Sequence, residues 1–268
     1  MRYLPLTLLA VACHPVPRAP APTVPSVAQL SPGTVRYAVT GHRHVEQRFQ
    51  GQPIVTDATT FLLLSVVMTA SDSGLGVDVV VDSVDMTGDA VPSAALVQAA
   101  KGARFTGVAP SADGKLAITP NASADPVLDQ IALGLQELLP RLPPDGAAPG
   151  GRWTDSTTYT GRSAGLPITM TTRTAFEAGS WSQRDAERVL DVTGEGDYTL
   201  TGEGERLGQW FVMRGTGTSR STQLLSADGV IVVGVLVDSL QVDVEVEATG
   251  TVIPVLQARV DTVRRVLP

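Results

Sequence analysis

Histidine and cysteine, the side chains most often used as bases, nucleophiles and metal ligands, are nearly absent from this sequence: His14, His42, His44 and Cys13 are all it has. His42, His44 and Glu46 share one face of a predicted strand, with same-face neighbours about 6–7 Å apart. That row permits joint metal ligation, but zinc would demand a further ligand from another strand. The simpler reading is a solvated polar face, so no metal is expected. A Ser-His-Asp triad would have to use His42 or His44, and no elbow serine accompanies either. No G-x-S-x-G, H-E-x-x-H, P-loop or dinucleotide fingerprint occurs. Asp82 with Asp85, and Glu195 with Asp197, read as solvent-facing strand residues rather than acid/base pairs. Gly194-Glu-Gly196 and Gly202-Glu-Gly204 lie among strands with no following helix and read as turns or bulges. A hydrolase of unfamiliar type would need a polar cleft around His42 and His44. The expectation is a non-enzymatic protein with no cofactor.

Cys13 is the exception. It follows Met1-Arg2-Tyr3 and a short apolar run, Leu4–Ala12, which together make a secretory signal over residues 1–12. The ending Leu-Ala-Val-Ala-Cys resembles a bacterial lipobox. That resemblance implies that Cys13 is diacylated, becomes the mature N-terminus and anchors the chain in a membrane. It departs from the pattern in its shortness, in Ala10 where leucine is usual, and in Pro5 within the apolar run. A single cysteine also excludes an intrachain disulfide. Residues 13–33 carry Pro15, Pro17, Pro20, Pro22, Pro25 and Pro32 among Ala, Val and Ser, a solvated polyproline-II tether. Roughly 18 such residues reach on the order of 55 Å.

The elements that would present any site are mostly strands. Hydrophobic residues make up 43% of the chain but aromatics only 4%, so Val, Leu and Ile fill the core. A net charge of −7 offers no basic face for nucleic acid. Strand patterns run from Thr34 to Phe49, Thr60 to Ala70 and Val77 to Met86. Gly51-Gln52-Pro53 reads as a turn. Thr60–Ala70 is apolar on both faces and predicts a central strand covered on both sides. Val91–Lys101 reads as a short helix, and Ala103–Ala109 with Lys115–Thr119 as a hairpin. In the second half, strands are expected over Trp153–Gly161, Ile168–Ala178, Arg188–Gly202, Gln209–Gly217, Ser219–Ser226, Val230–Glu247 and Thr251–Val266. Pro254 marks a bulge or an edge.

Between the halves lies one amphipathic helix. Asp125 caps it, Pro126 occupies its first position, and Leu128, Ile131, Leu135, Leu138, Leu139 and Leu142 form its stripe. Asp129, Gln130, Gln136 and Glu137 take the opposite face. Pro140, Pro143 and Pro144 end it. The chain therefore divides into a β-rich half (34–124), the helix with its Pro/Gly spacer (125–151) and a second β-rich half (152–268). A faint repeat links the halves: Tyr37-Ala-Val-Thr-Gly41 is echoed by Tyr198-Thr-Leu-Thr-Gly202, and Val81-Asp82-Ser83 by Val237-Asp238-Ser239. The expected fold is mainly β, an antiparallel meander forming a curved sheet or two half-barrels, with one central amphipathic helix.

Lipobox, Pro-rich tether, meander, a helix ending in Leu-Leu-Pro and a Gly-Gly-Arg-Trp-Thr strand start together resemble exported bacterial lipoproteins of unassigned activity. The layout is more distantly similar to the half-barrel of periplasmic lipoprotein carriers (LolA/LolB-like), a curved sheet with a helical lid. The resemblance implies a lipid-anchored, non-enzymatic protein of the cell envelope, at the periplasmic face of the outer membrane or the cell surface. Its ligand would be a lipid or other hydrophobic molecule on a concave face lined by Leu62, Leu64, Val66 and Met68, under a lid carrying Leu128, Ile131 and Leu135. The competing reading is a structural or assembly lipoprotein that binds envelope protein partners through sheet edges.

Overall fold

The computed structural model describes residues 25–49, 51–72, 74–89, 91–109, 117–120, 126–136, 138–163, 165–185 and 187–267. Cys13 and the signal segment lie outside the described residues. Along the chain run β1 (Gly33–Phe49), β2 (Gln52–Ser71), β3 (Gly74–Gly88), α1 (Ala94–Ala99), β4 (Arg104–Ala109), β5 (Ala117–Pro120) and α2 (Pro126–Leu135). They are followed by β6 (Arg152–Ser163), β7 (Leu166–Arg184), β8 (Glu187–Arg206), β9 (Gln209–Leu225), β10 (Ile231–Val246) and β11 (Thr251–Val266). The fold is mainly β, as expected.

All these strands join one antiparallel sheet in the order β5-β4-β3-β2-β1-β11-β10-β9-β8-β7-β6. Each strand pairs with its neighbour in sequence, with one addition. β1 also pairs with β11, from Arg36↔Val266 to Gln47↔Val255. The two halves are thus joined through their first and last strands into a single curled sheet, whose edge strands among the described residues are β5 and β6. Helix α2 touches both of those strands. The sheet curls tightly enough that Val66, Val79 and Phe105 from one side share a core with Phe176, Val192 and the helix residue Ile131.

Alternation of side chains drives the curl. On β7, Ile168, Thr172, Thr174, Phe176 and Ala178 are buried while the residues between them are exposed or half-buried. The convex faces of β6 to β9 carry charged residues, with Arg220 facing Glu195 at 3.5 Å and Arg152 facing Glu177 at 2.9 Å. Only the concave face is dry.

Several expectations are corrected by this one-layer geometry. Thr60–Ala70 is not covered on both sides. Leu64, Val66 and Met68 are buried, whereas Phe61 is 44% and Val67 38% exposed on the convex face. Gln52 and Pro53 belong to β2, and the turn before them is made by Gly51 in a left-handed conformation (φ 78°). Gln209–Gly217 and Ser219–Ser226 are one continuous strand, β9. The Gly-Glu-Gly motifs are neither turns nor bulges but lie within β8, where the glycines face inward. A Cβ at Gly194 would lie 2.7 Å from the Phe176 ring, and one at Gly202 2.8 Å from the Met213 side chain, so the missing side chains leave room for neighbouring strands to pack closely. Pro254 marks neither a bulge nor a sheet edge: it lies in the interior strand β11 opposite Asp243 of β10, just past Val255, where the β1–β11 ladder stops.

The helix is shorter than its apolar stripe. It ends at Leu135 rather than Leu142, because the Pro140 ring would clash with the carbonyl of Gln136 and bias Leu139 away from helical angles. A tighter turn follows, with the Leu138 amide donating to the Leu135 carbonyl at 3.2 Å. The expected tether is also shortened. Ala28 is fully buried and exchanges two backbone hydrogen bonds with Ala147 of the spacer, at 2.9 and 2.8 Å.

Tyr37 closes the same end of the barrel. It is fully buried, and its Oη accepts a hydrogen bond from the Ile231 amide at 3.2 Å. Burial raises its pKa well above the ordinary tyrosine value, more than the Ile231 hydrogen bond and Arg265 lower it. The folded state therefore holds the proton that the unfolded state releases near pH 10. This contribution is intact below pH 10 and is lost as pH rises beyond it, at up to about 1.4 kcal/mol per pH unit. Urea unfolding between pH 9 and 11 is expected to show that slope, and Tyr37→Phe to flatten it.

Candidate functional site: a cavity under the helix

Helix α2 does not seal flush onto the sheet. Between it and the concave face of β1, β2, β10 and β11 lies a cavity of about 890 Å³ counting its open mouth, of which about 90 Å³ admits the centre of a water molecule. Its walls are mostly apolar. Leu62 and Leu64 of β2, Ile131 and Leu135 of α2, Leu138, Ile231 and Val263 are among the residues that line it. Gly134 faces open space, since a Cβ built on it meets nothing within 4 Å. A glycine in a helix costs about 1 kcal/mol relative to alanine, and here it leaves the cavity unfilled.

Of the anticipated ligand-contacting residues, Leu62, Leu64, Ile131 and Leu135 line this space. Val66, Met68 and Leu128 do not. They are buried within the core cluster beside it. The C-terminal side of α2 is pinned to the sheet. Trp153 Nε1 donates to the Arg141 carbonyl at 2.8 Å, Arg141 pairs with Asp155 at 3.5 Å, and the Trp153 ring stacks on Phe176 at 5.4 Å.

The cavity floor is charged, which the sequence reading missed. Arg43 and Arg259 are cross-strand partners on β1 and β11, and both point inward. Arg259 is compensated by Asp238 at 2.8 Å and Asp261 at 3.1 Å. Gly41 makes room for this arrangement, because a Cβ there would lie 2.7 Å from Asp261 Oδ1. Arg43 has no such partner: its Nε is buried without a hydrogen-bond acceptor among the described residues. Burial pulls its pKa below the ordinary arginine value, Arg259 adds to that, and Asp261 opposes it. Gln130, expected on the solvent side of α2, also lines the cavity. A helix seated in the gap between two strand edges is covered on more than its leucine stripe.

The histidine face is solvated, as read. His42 Nδ1 meets Thr59 Oγ1 at 3.0 Å and His44 Nδ1 meets Asp57 Oδ1 at 2.7 Å, all on the convex surface. No group of three potential metal ligands occurs among the described residues.

Fold and cavity together define a curled antiparallel half-barrel sheet, with a helix that touches both of its edge strands and an amphipathic cavity beneath that helix. No family model and no curated protein matches the chain. Among solved structures, a multiply substituted Rh. blastica porin is similar at 9% identity and a TM-score of 0.27, covering 85% of this chain and all of the porin. Pseudomonas aeruginosa OccK2 (OpdF) is similar at 9% identity and a TM-score of 0.23, covering 87% of this chain and 98% of its own. Likeness this loose reflects long antiparallel strands and says nothing about activity.

Proposed function

We infer that this is a membrane-tethered, non-enzymatic lipoprotein of the bacterial envelope that holds a lipid or other hydrophobic ligand in the cavity beneath α2. The observation that carries this reading is the apolar space between Leu62, Leu64, Ile131 and Leu135. It lies beneath a helix that touches both edge strands of the described sheet. Mostly apolar walls with a few polar groups are the usual lining of small-molecule sites. The half-barrel layout of the lipoprotein carriers supports the same reading by resemblance, with α2 in the position of a lid.

Native mass spectrometry of the full chain carrying Cys13→Ser, purified from bacterial cells without detergent, is the direct test. The expected result is a bound mass that fragments to acyl chains. A clean apo mass would overturn the reading and move attention to protein partners along the sheet edges. Gly134→Leu is expected to fill the cavity and abolish ligand retention at equal or higher thermal stability. The anchor is tested separately: labelling with a clickable palmitate analogue is expected for the natural chain and is lost in Cys13→Ser.

A further inference from the structure

Arg43 sits at a neck. With Thr60, Met86 and Gln130 it borders both the main cavity and a second pocket of about 480 Å³, counted with its mouth, that continues past Val45, Thr56, Ala58 and Asp89 to Val91 and Pro92. Three of the four residues at this neck are hydrogen-bond donors: a guanidinium, a hydroxyl and a carboxamide. The two carboxylates nearby are already engaged. Asp261 pairs with Arg259, and Asp89 Oδ2 accepts the Asp57 amide at 3.3 Å. Arg43 is half-buried, and its Nε is buried without a hydrogen-bond partner among the described residues. It faces a second arginine across the strand pair and makes no ion pair among the described residues, an arrangement that is costly in a folded protein. Perturbed buried charges of this kind concentrate at functional sites.

We propose that the cavity selects an anionic amphiphile, a single acyl chain ending in a carboxylate or phosphate, with the chain among Leu62, Leu64, Ile131 and Leu135 and the anionic head on Arg43, Thr60 and Gln130. The head gives the Arg43 guanidinium a direct anionic partner of the kind that Asp238 and Asp261 give Arg259. The chain fills the part of the cavity that has no polar partner to offer. This deepens the reading of the cavity as a hydrophobic-ligand site and rests on it.

The test compares ligands that share a chain and differ in the head. The full-length Cys13→Ser protein is titrated at pH 8 with cis-parinaric acid and with its methyl ester, and lysophosphatidic acid is then used to displace the bound probe. The acid is expected to bind at least tenfold more tightly than the ester. In Arg43→Gln the acid is expected to fall to the ester's affinity while the ester is unchanged, and Arg43→Lys to keep part of the preference. Displacement by lysophosphatidic acid in preference to palmitate identifies a phosphate head, and the reverse order a carboxylate. Equal affinity of the unmodified cavity for acid and ester would overturn the proposal while leaving the hydrophobic site intact. Binding of neither probe would overturn both. The acid-to-ester ratio of the unsubstituted cavity decides the matter even if an Arg43 variant folds poorly.

Discussion

Arg259→Met is expected to destabilise the fold by about 3–5 kcal/mol, read as a drop in the urea midpoint with an unchanged slope. Arg259 lies on β11 with its side chain only 13% exposed, held between Asp238 of β10 and Asp261 of its own strand. Methionine fills a comparable volume, so lost packing is a small part of the effect. The cost comes from two carboxylates left inside the barrel without their cation. Arg43, directly across the strand pair, partly compensates by turning toward Asp261, which places the expected loss nearer 3 than 5 kcal/mol. The triple variant Asp238→Asn, Arg259→Met, Asp261→Asn is expected to recover most of the loss, because it removes the stranded charges. If it is as unstable as the single variant, packing rather than charge holds this part of the barrel together.

Leu135→Ala is the second large effect, with an expected loss of about 2–5 kcal/mol. Leu135 is 2% exposed in the last turn of α2 and contributes to both the core and the cavity wall. The void left by truncation merges with a cavity that already exists, so the helix cannot collapse to close it. The same variant is expected to admit a longer acyl probe than the unsubstituted chain does. Gly134→Leu, one residue earlier, is expected to act with the opposite sign on both stability and binding. Differential scanning calorimetry with and without a fatty-acid probe separates the two. A Leu135→Ala protein that melts with the unsubstituted chain would mean that α2 contributes little to the folded barrel.

Much of this fold is written in local pattern. The strand expected over Val230–Glu247 matches β10 to within a residue at each end, the one over Ile168–Ala178 finds β7 but stops six residues before Arg184, and the leucine spacing announces α2. What local pattern does not carry is the number of layers. Phe61, Leu63 and Val67 are as apolar as Leu62, Leu64 and Val66, and only the single-layer curl decides which set meets water. The cavity's apolar wall was legible for the same reason that the core was. Its charged floor was not. Arg43 becomes unusual only once the register sets it opposite Arg259, a partner more than two hundred residues away in sequence, and no periodicity reports such a pairing. Gln130 was hidden by a helical wheel drawn for one buried face, whereas a helix wedged between two strands has more than one.

The pairing of β1 with β11 also orders events in time. Every other ladder in the sheet joins neighbours in sequence and can form as soon as its hairpin is available. The β1 edge, seventeen residues from Gly33 to Phe49, must instead wait for a strand made at the far end of the chain. Contacts of such long range slow folding, and an unpaired edge of that length is a template for association with other chains. Biogenesis of this barrel is thus a race between its last strand and foreign ones. A holding chaperone that covers β1 until β11 arrives would act at the step where the fold is most exposed.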